Sequence, residues 1–248
     1  MATRLNNVRV WMGPGCLQSS LAWHDGLVVE DAPTAIDGGG RLVTPGLVDA
    51  HVHLVMGALS RHGVDLAGVT SLDAWMARLV AQAADLEPDA WLIANGWNEV
   101  ECGLHAPPTK AMLATLGDRP VVCWRCDYHA ALVNDAVLAR LDIAALSETA
   151  RETGLLVEQE AWKVLIPAMP ELDVAQRQQA LCDVVPWLNR LGITGVRTME
   201  YRDELEAVID PIAEPLPLRM TVTALDRTLP LDLDWIASRD AALPRVIG

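Results

Sequence analysis

The segment that most constrains this chain is Leu47-Val48-Asp49-Ala50-His51-Val52-His53-Leu54, which follows the punctuation Thr44-Pro45-Gly46. Strand side chains alternate between faces, so a strand here puts Asp49, His51 and His53 on one side and Val48, Ala50, Val52 and Leu54 on the other. One face carries chemistry and the other packs. Two imidazoles two residues apart on one face can reach a single divalent ion through their ring nitrogens. A metal site normally takes at least three protein ligands, so the pattern alone leaves two readings open: a metal pair, or polar residues in a wet cleft.

The flanking sequence is organised around that strand. Residues 8–44 read as short strands with tight turns; Asp25-Gly26 between Leu21-Ala22-Trp23 and Leu27-Val28-Val29 is the dipeptide that a two-residue hairpin prefers, because its turn needs positive φ. After Ser71, a plausible N-cap, the spacing of Leu72, Trp75, Met76, Leu79, Val80 and Ala83 is helical. The stretch from Trp91 to about Pro170 alternates Pro, Gly and short apolar runs and reads as an irregular α/β insertion. A second helix is expected from about Val174 to Leu191, capped by Asp173, kinked at Pro186 and stopped by Gly192, with Leu181, Val184, Val185, Leu188 and Leu191 buried. Ile193 to Met199 and Arg219 to Leu225 follow as strands. Strand, helix, strand, helix, strand is the rhythm of a parallel α/β sheet, and a barrel is the version whose strand ends converge on one site.

Composition removes several function classes. The formal charge is −14 with 19 Lys and Arg scattered along 248 residues, the opposite of the clustered cations that a nucleic-acid backbone or an anionic membrane surface attracts. No apolar run is long enough to span a bilayer, and the polar N-terminus lacks the apolar centre of a secretory signal, so a cytoplasmic location is expected. Five cysteines at irregular positions read as reduced thiols. Cys123 and Cys126 have C-x-x-C spacing, but there is no second pair for zinc, and an apolar strand-like run would send the two thiols to opposite faces rather than open a helix as redox motifs do.

The run from Gly40 to Leu54, with its Pro45-Gly46 turn, Asp49, His51 and His53, resembles the signature that joins a small β-sandwich to the first barrel strand in the amidohydrolase superfamily. Further landmarks resemble amidohydrolase family 3: Gly96-Trp97-Asn98-Glu99; Pro108-Thr109; Asp118-Arg119-Pro120-Val121-Val122; Arg125 through Asn134; and Gly154 through Glu158. That family includes N-substituted formamide deformylases and other hydrolases of non-peptide carbon–nitrogen bonds. The resemblance runs from about residue 20 to the end. One landmark departs, because the family usually has Gly between the Asp and the His, where this chain has Tyr128, a residue that takes positive φ only at a cost and fills space beside His129.

The resemblance implies an incomplete (β/α)8 TIM-type barrel with an N-terminal β-sandwich segment at 1–45, the first barrel strand and helix at 46–86, a family-specific insertion at 87–172, and further barrel strands and helices at 173–248. It implies that His51 and His53 bind a divalent metal, zinc being the first candidate, that Trp97 and His129 line the pocket of a small-molecule amide or formamide substrate, and that the remaining ligands and a catalytic Asp belong to later strands beyond residue 248. In the superfamily the metal activates a water that attacks the substrate carbonyl. Glu200 reads either as a site residue at a strand end or as a solvated loop acid, and His129, Glu158 and Glu200 are the candidates for a third ligand. Three barrel strands are expected, where closure needs eight. An open barrel should leave the Leu181, Val184, Leu188 stripe and the Met220, Val222, Ala224 face uncovered and drive self-association. The alternative reading is an inactive remnant or binding module.

Overall fold

The computed structural model describes residues 1–212, 216–226, 230, 232–239 and 245–247. Seven short strands come first: β1 (Thr3–Asn6), β2 (Arg9–Gly13), β3 (Cys16–Gln18), β4 (Leu21–His24), β5 (Leu27–Val29), β6 (Thr34–Asp37) and β7 (Leu42–Val43). They form a four-stranded sheet of order β5-β4-β1-β6 and a three-stranded sheet of order β3-β2-β7. The hairpin at Asp25-Gly26 forms as expected, with Trp23 opposite Val28 and His24 opposite Leu27, and both turn residues have positive φ, 48° and 76°. Few side chains are buried here beyond Val8, Val10, Ala22 and Ala32.

Strand β8 (Leu47–Val52) and helix α1 (Leu54–Ser60) follow. Gly46 is where it is for a steric reason: a Cβ there would meet the Thr194 side chain at 1.9 Å. Next come β9 (Val64–Asp65), α2 (Leu72–Asp85), β10 (Leu92–Trp97), β11 (Val121–Arg125), β12 (Ala130–Val133), α3 (Asp135–Leu138), α4 (Glu148–Thr153) and β13 (Leu155–Val157). These five strands make one mixed sheet, parallel from β9 to β11 and antiparallel from β11 to β13. Alternate residues of β11 enter two different apolar clusters, Val121 and Cys123 on one face and Val122 and Trp124 on the other, so the sheet is covered on both sides. The stretch expected to be irregular is thus a sheet with its own two-sided core. Helix α2, capped by Ser71 as expected, buries Trp75 and Leu79 against β10, and β9 pairs with β10. Residues 64–85 thus pack with the mixed sheet, and α1 is the element that directly follows the histidine strand.

The third part is a parallel sheet of order β16-β15-β14-β8, built from β14 (Ile193–Tyr201), β15 (Arg219–Leu225) and β16 (Arg245–Ile247) beside β8. It has four strands where three were expected, since residues 245–247 already pair with β15. Helix α5 (Val174–Arg190) begins with a full capping box between Asp173 and Gln176 and carries Pro186 inside it. Its buried face, Ala180, Leu181, Val184 and Val185, meets Leu54, Val55 and Ala58 of α1 and Val196 and Val222 of the sheet in one cluster. Leu191 is exposed rather than part of that face. The surfaces expected to lie bare are largely covered: Leu181 and Val222 are fully buried and Leu188 and Met220 partly so, while Leu47 and Val48 on β8 are among the exposed apolar side chains of this part.

Candidate functional site

The histidine strand is shorter and less regular than its pattern. It ends at Val52, and His53 (φ −103°, ψ 89°) is the single residue between strand and helix, with Leu54 already helical. Its pairing with β14 sets Asp49 beside Val196 and Val52 beside Thr198, so Ala50 and His51 lie opposite the single residue Arg197, a bulge. Strict alternation therefore fails at the point where Asp49 was expected to share a face with the histidines. The Asp49 carboxylate instead accepts the His51 amide at 3.0 Å and braces the bulge.

The two imidazoles nonetheless come together, His51 exposed and His53 partly buried, with ring centroids 6.2 Å apart and planes at 86°. His53 Nδ1 lies 3.0 Å from the Met199 carbonyl oxygen, which can only accept, so Nδ1 carries a proton and, in the neutral ring, the lone pair is on Nε2. That is the tautomer of a metal-ligating histidine. Two imidazole nitrogens each about 2 Å from one tetrahedral ion would put their ring centres about 5 Å apart, so the two rings are neighbours that a shared ion would have to draw somewhat closer. Among the described residues no group of three or more His, Cys, Asp and Glu is placed to hold a metal.

Around this pair, β14 does something that periodicity did not announce. Thr198 Oγ1 accepts the Leu54 amide at 2.9 Å, Glu200 Oε1 accepts the Val55 amide at 3.1 Å, and Thr198 donates to Glu200 at 2.6 Å. Glu200 is 5% exposed, a correction to the solvated-acid reading. Burial pushes its carboxyl above the ordinary range, against the opposing pull of hydrogen bonds from Thr198 and Val55 and the field of His53. The available signal was the sequence Val196-Arg197-Thr198-Met199-Glu200, in which a period-two reading puts Thr198 and Glu200 on the same face as Val196.

The other predicted residues lie elsewhere. Trp97 sits in the core of the mixed sheet: it is fully buried, stacked on Trp75 at 5.2 Å, and donates its indole N–H to the Cys123 carbonyl at 2.8 Å. An aromatic residue beside a Gly was compatible with either place, and only packing decides. His129 is exposed, pairs through Nδ1 with Glu158 at 2.9 Å and meets the Trp162 ring edge-on. Tyr128 and Glu158, around this pair, are two of the non-glycine residues with positive φ. Cys123 is fully buried and Cys126 exposed, so the C-x-x-C thiols do diverge. Burial pushes the Cys123 thiol up to about 12, which removes the thiolate a redox pair requires. With Ellman's reagent at pH 8, Cys16 and Cys126 are expected to react in the native protein and Cys123 only after denaturation; rapid native labelling of Cys123 would contradict this burial.

A sequence profile of the amidohydrolase family matches residues 34–239. Protein LONG AFTER FAR-RED 3 of Arabidopsis thaliana is 27% identical over 179 residues, covering 68% of this chain and 30% of that protein. Putative amidohydrolase YtcJ of Bacillus subtilis (strain 168) is 29% identical over 168 residues, covering 63% of this chain and 32% of that protein. Among solved structures, an uncharacterized metal-dependent hydrolase from Pyrococcus horikoshii OT3 superposes with a TM-score of 0.64 at 23% identity, over 90% of this chain and 48% of the other. One from Pyrococcus furiosus gives 0.61 at 24%, over 91% and 50%. The chain spans about a third of the length of these curated relatives. Among the described residues no helix is long and apolar enough to cross a membrane.

Proposed function

The chain belongs to the amidohydrolase family, and from that premise we propose that it carries part of the active site of a metal-dependent hydrolase of non-peptide carbon–nitrogen bonds, of linear amide or N-substituted formamide type. His51 and His53 hold the ion. The observation that carries this reading is the pair itself: two rings at 6.2 Å, one of them fixed by Met199 in the tautomer that leaves Nε2 free. A divalent ion there, zinc as first candidate, would polarise a substrate carbonyl and acidify water. The chain's own residues orient the ligands: the Met199 carbonyl fixes the His53 ring, and Asp49 fixes the backbone of His51. We place His129 in the substrate pocket, its Nδ1 held by Glu158 so that Nε2 is presented outward. The parallel sheet of β8, β14, β15 and β16, with α1 and α5 on one face, is the opening arc of a (β/α)8 barrel in this reading, and residues 3–43 belong to a β-sandwich layer.

Two imidazoles leave an ion mostly hydrated, so the 248-residue chain is expected to bind Zn²⁺ weakly and to lose that binding in His53→Ala. Titration calorimetry checks this, with formamide hydrolysis as the activity arm. Tight binding would reveal a further ligand; binding unaffected by His53→Ala would remove the histidine pair from the metal site. The second reading, an inactive remnant or binding module, is favoured by the lack of a third donor among the described residues, and formamide turnover that depends on His51 would exclude it. We also propose self-association through β8, which among the described residues pairs on one side only and exposes Leu47 and Val48. Light scattering that reports a monomer at high concentration counts against it.

A further inference from the structure

Three consecutive residues of β14 grip three consecutive residues of the β8–α1 junction. Thr198 takes the Leu54 amide, the Met199 carbonyl takes His53 Nδ1–H, and Glu200 takes the Val55 amide, with Thr198 and Glu200 hydrogen-bonded to each other. Helix α1 supplies no cap of its own, because the side chain of His53 at the N-cap makes no capping bond, so its first amides depend on β14 for acceptors. Thr198 and Glu200 are also among the few polar side chains buried in the described residues, at 0% and 5% exposed. A buried carboxyl is costly unless its hydrogen bonds are made, so its place beside the histidines is a geometric commitment.

We propose that Thr198 and Glu200 are positioning residues for the histidine pair: by fixing the first turn of α1 they set the backbone of His53, bring its Nδ1 to the Met199 carbonyl and hold Nε2 toward the space beside His51. This rests on His51 and His53 being the metal ligands. The clamp predicts a property of the metal-free protein as well. If the junction is held as described, His53 sits in the Nδ1–H tautomer before any ion arrives, and loosening the clamp lets both tautomers appear.

The test uses the whole 248-residue chain and the variants Thr198→Val, Glu200→Ala, Glu200→Gln and His53→Ala, with folding verified by circular dichroism. Nitrogen-15 spectra of the metal-free protein report the His53 tautomer, and titration with Zn²⁺ alone reports affinity. Thr198→Val and Glu200→Ala are expected to mix the tautomers and weaken zinc binding by about 10–100-fold, the range for losing an outer-shell partner. Glu200→Gln keeps an oxygen acceptor and should retain the wild-type tautomer and most of the affinity. Variants that lower the melting temperature but leave both tautomer and affinity unchanged would overturn the proposal and reduce the clamp to a helix cap. Should Glu200→Ala not fold, Thr198→Val, which removes one hydroxyl at nearly constant volume, decides by the same readouts. A tautomer that responds to Thr198→Val while zinc binding ignores His53→Ala would uphold the clamp and reject the ligand reading.

Discussion

Trp97→Ala is expected to destabilise the protein by about 3–5 kcal/mol, the range for emptying a large aromatic site in a close-packed core. The ring is fully buried, stacks on Trp75 and bonds the Cys123 carbonyl, so its removal leaves a cavity between α2 and the mixed sheet and a buried acceptor without its donor. Trp97→Phe keeps much of the ring and loses the N–H, and should fall well short of that cost. Equilibrium urea denaturation of both variants provides the check. A loss under about 1 kcal/mol for Trp97→Ala would return Trp97 to the pocket wall that the family resemblance suggested.

Tyr128→Gly is expected to destabilise by about 2 kcal/mol, although glycine suits the backbone better. Tyr128 has φ 61°, a conformation that costs an L-residue about 1–2 kcal/mol. Against that relief stand the ring stacked on Trp124 at 5.5 Å and the hydroxyl that donates to Asn95 Oδ1 at 2.8 Å; losing a large, mostly buried ring costs about 3–5 kcal/mol, so packing outweighs strain. Asn95 also donates to the Ser60 carbonyl, so the Tyr128 hydroxyl joins the mixed sheet to the end of α1. Tyr128→Phe isolates that link and should cost about 1–3 kcal/mol, because Asn95 is left buried with an unmatched acceptor. Thermal and urea midpoints of the two variants measure the balance, and a stabilised Tyr128→Gly would show that strain dominates.

The sequence by itself determined whatever depends on neighbours along the chain. Asp25-Gly26 specifies its hairpin because two adjacent positive φ values select it, Ser71 and Asp173 cap their helices through amides three residues on, and a separation of two residues along the chain keeps His51 and His53 close to each other. The family resemblance was legible for the same reason, since it rests on local runs of residues. Only the tertiary structure decided what depends on partners far along the chain. The bulge between Asp49 and Val52 arises from pairing with Val196 and Thr198; Trp97 is core because Trp75 and Cys123 fold over it; α2 joins the mixed sheet rather than the histidine strand; and Glu200 is buried because the Val55 amide, 145 residues away, needs an acceptor. A period in the sequence states which side chains share a face, but what covers that face, and which amide a carboxylate will meet, are properties of long-range packing that no local pattern encodes.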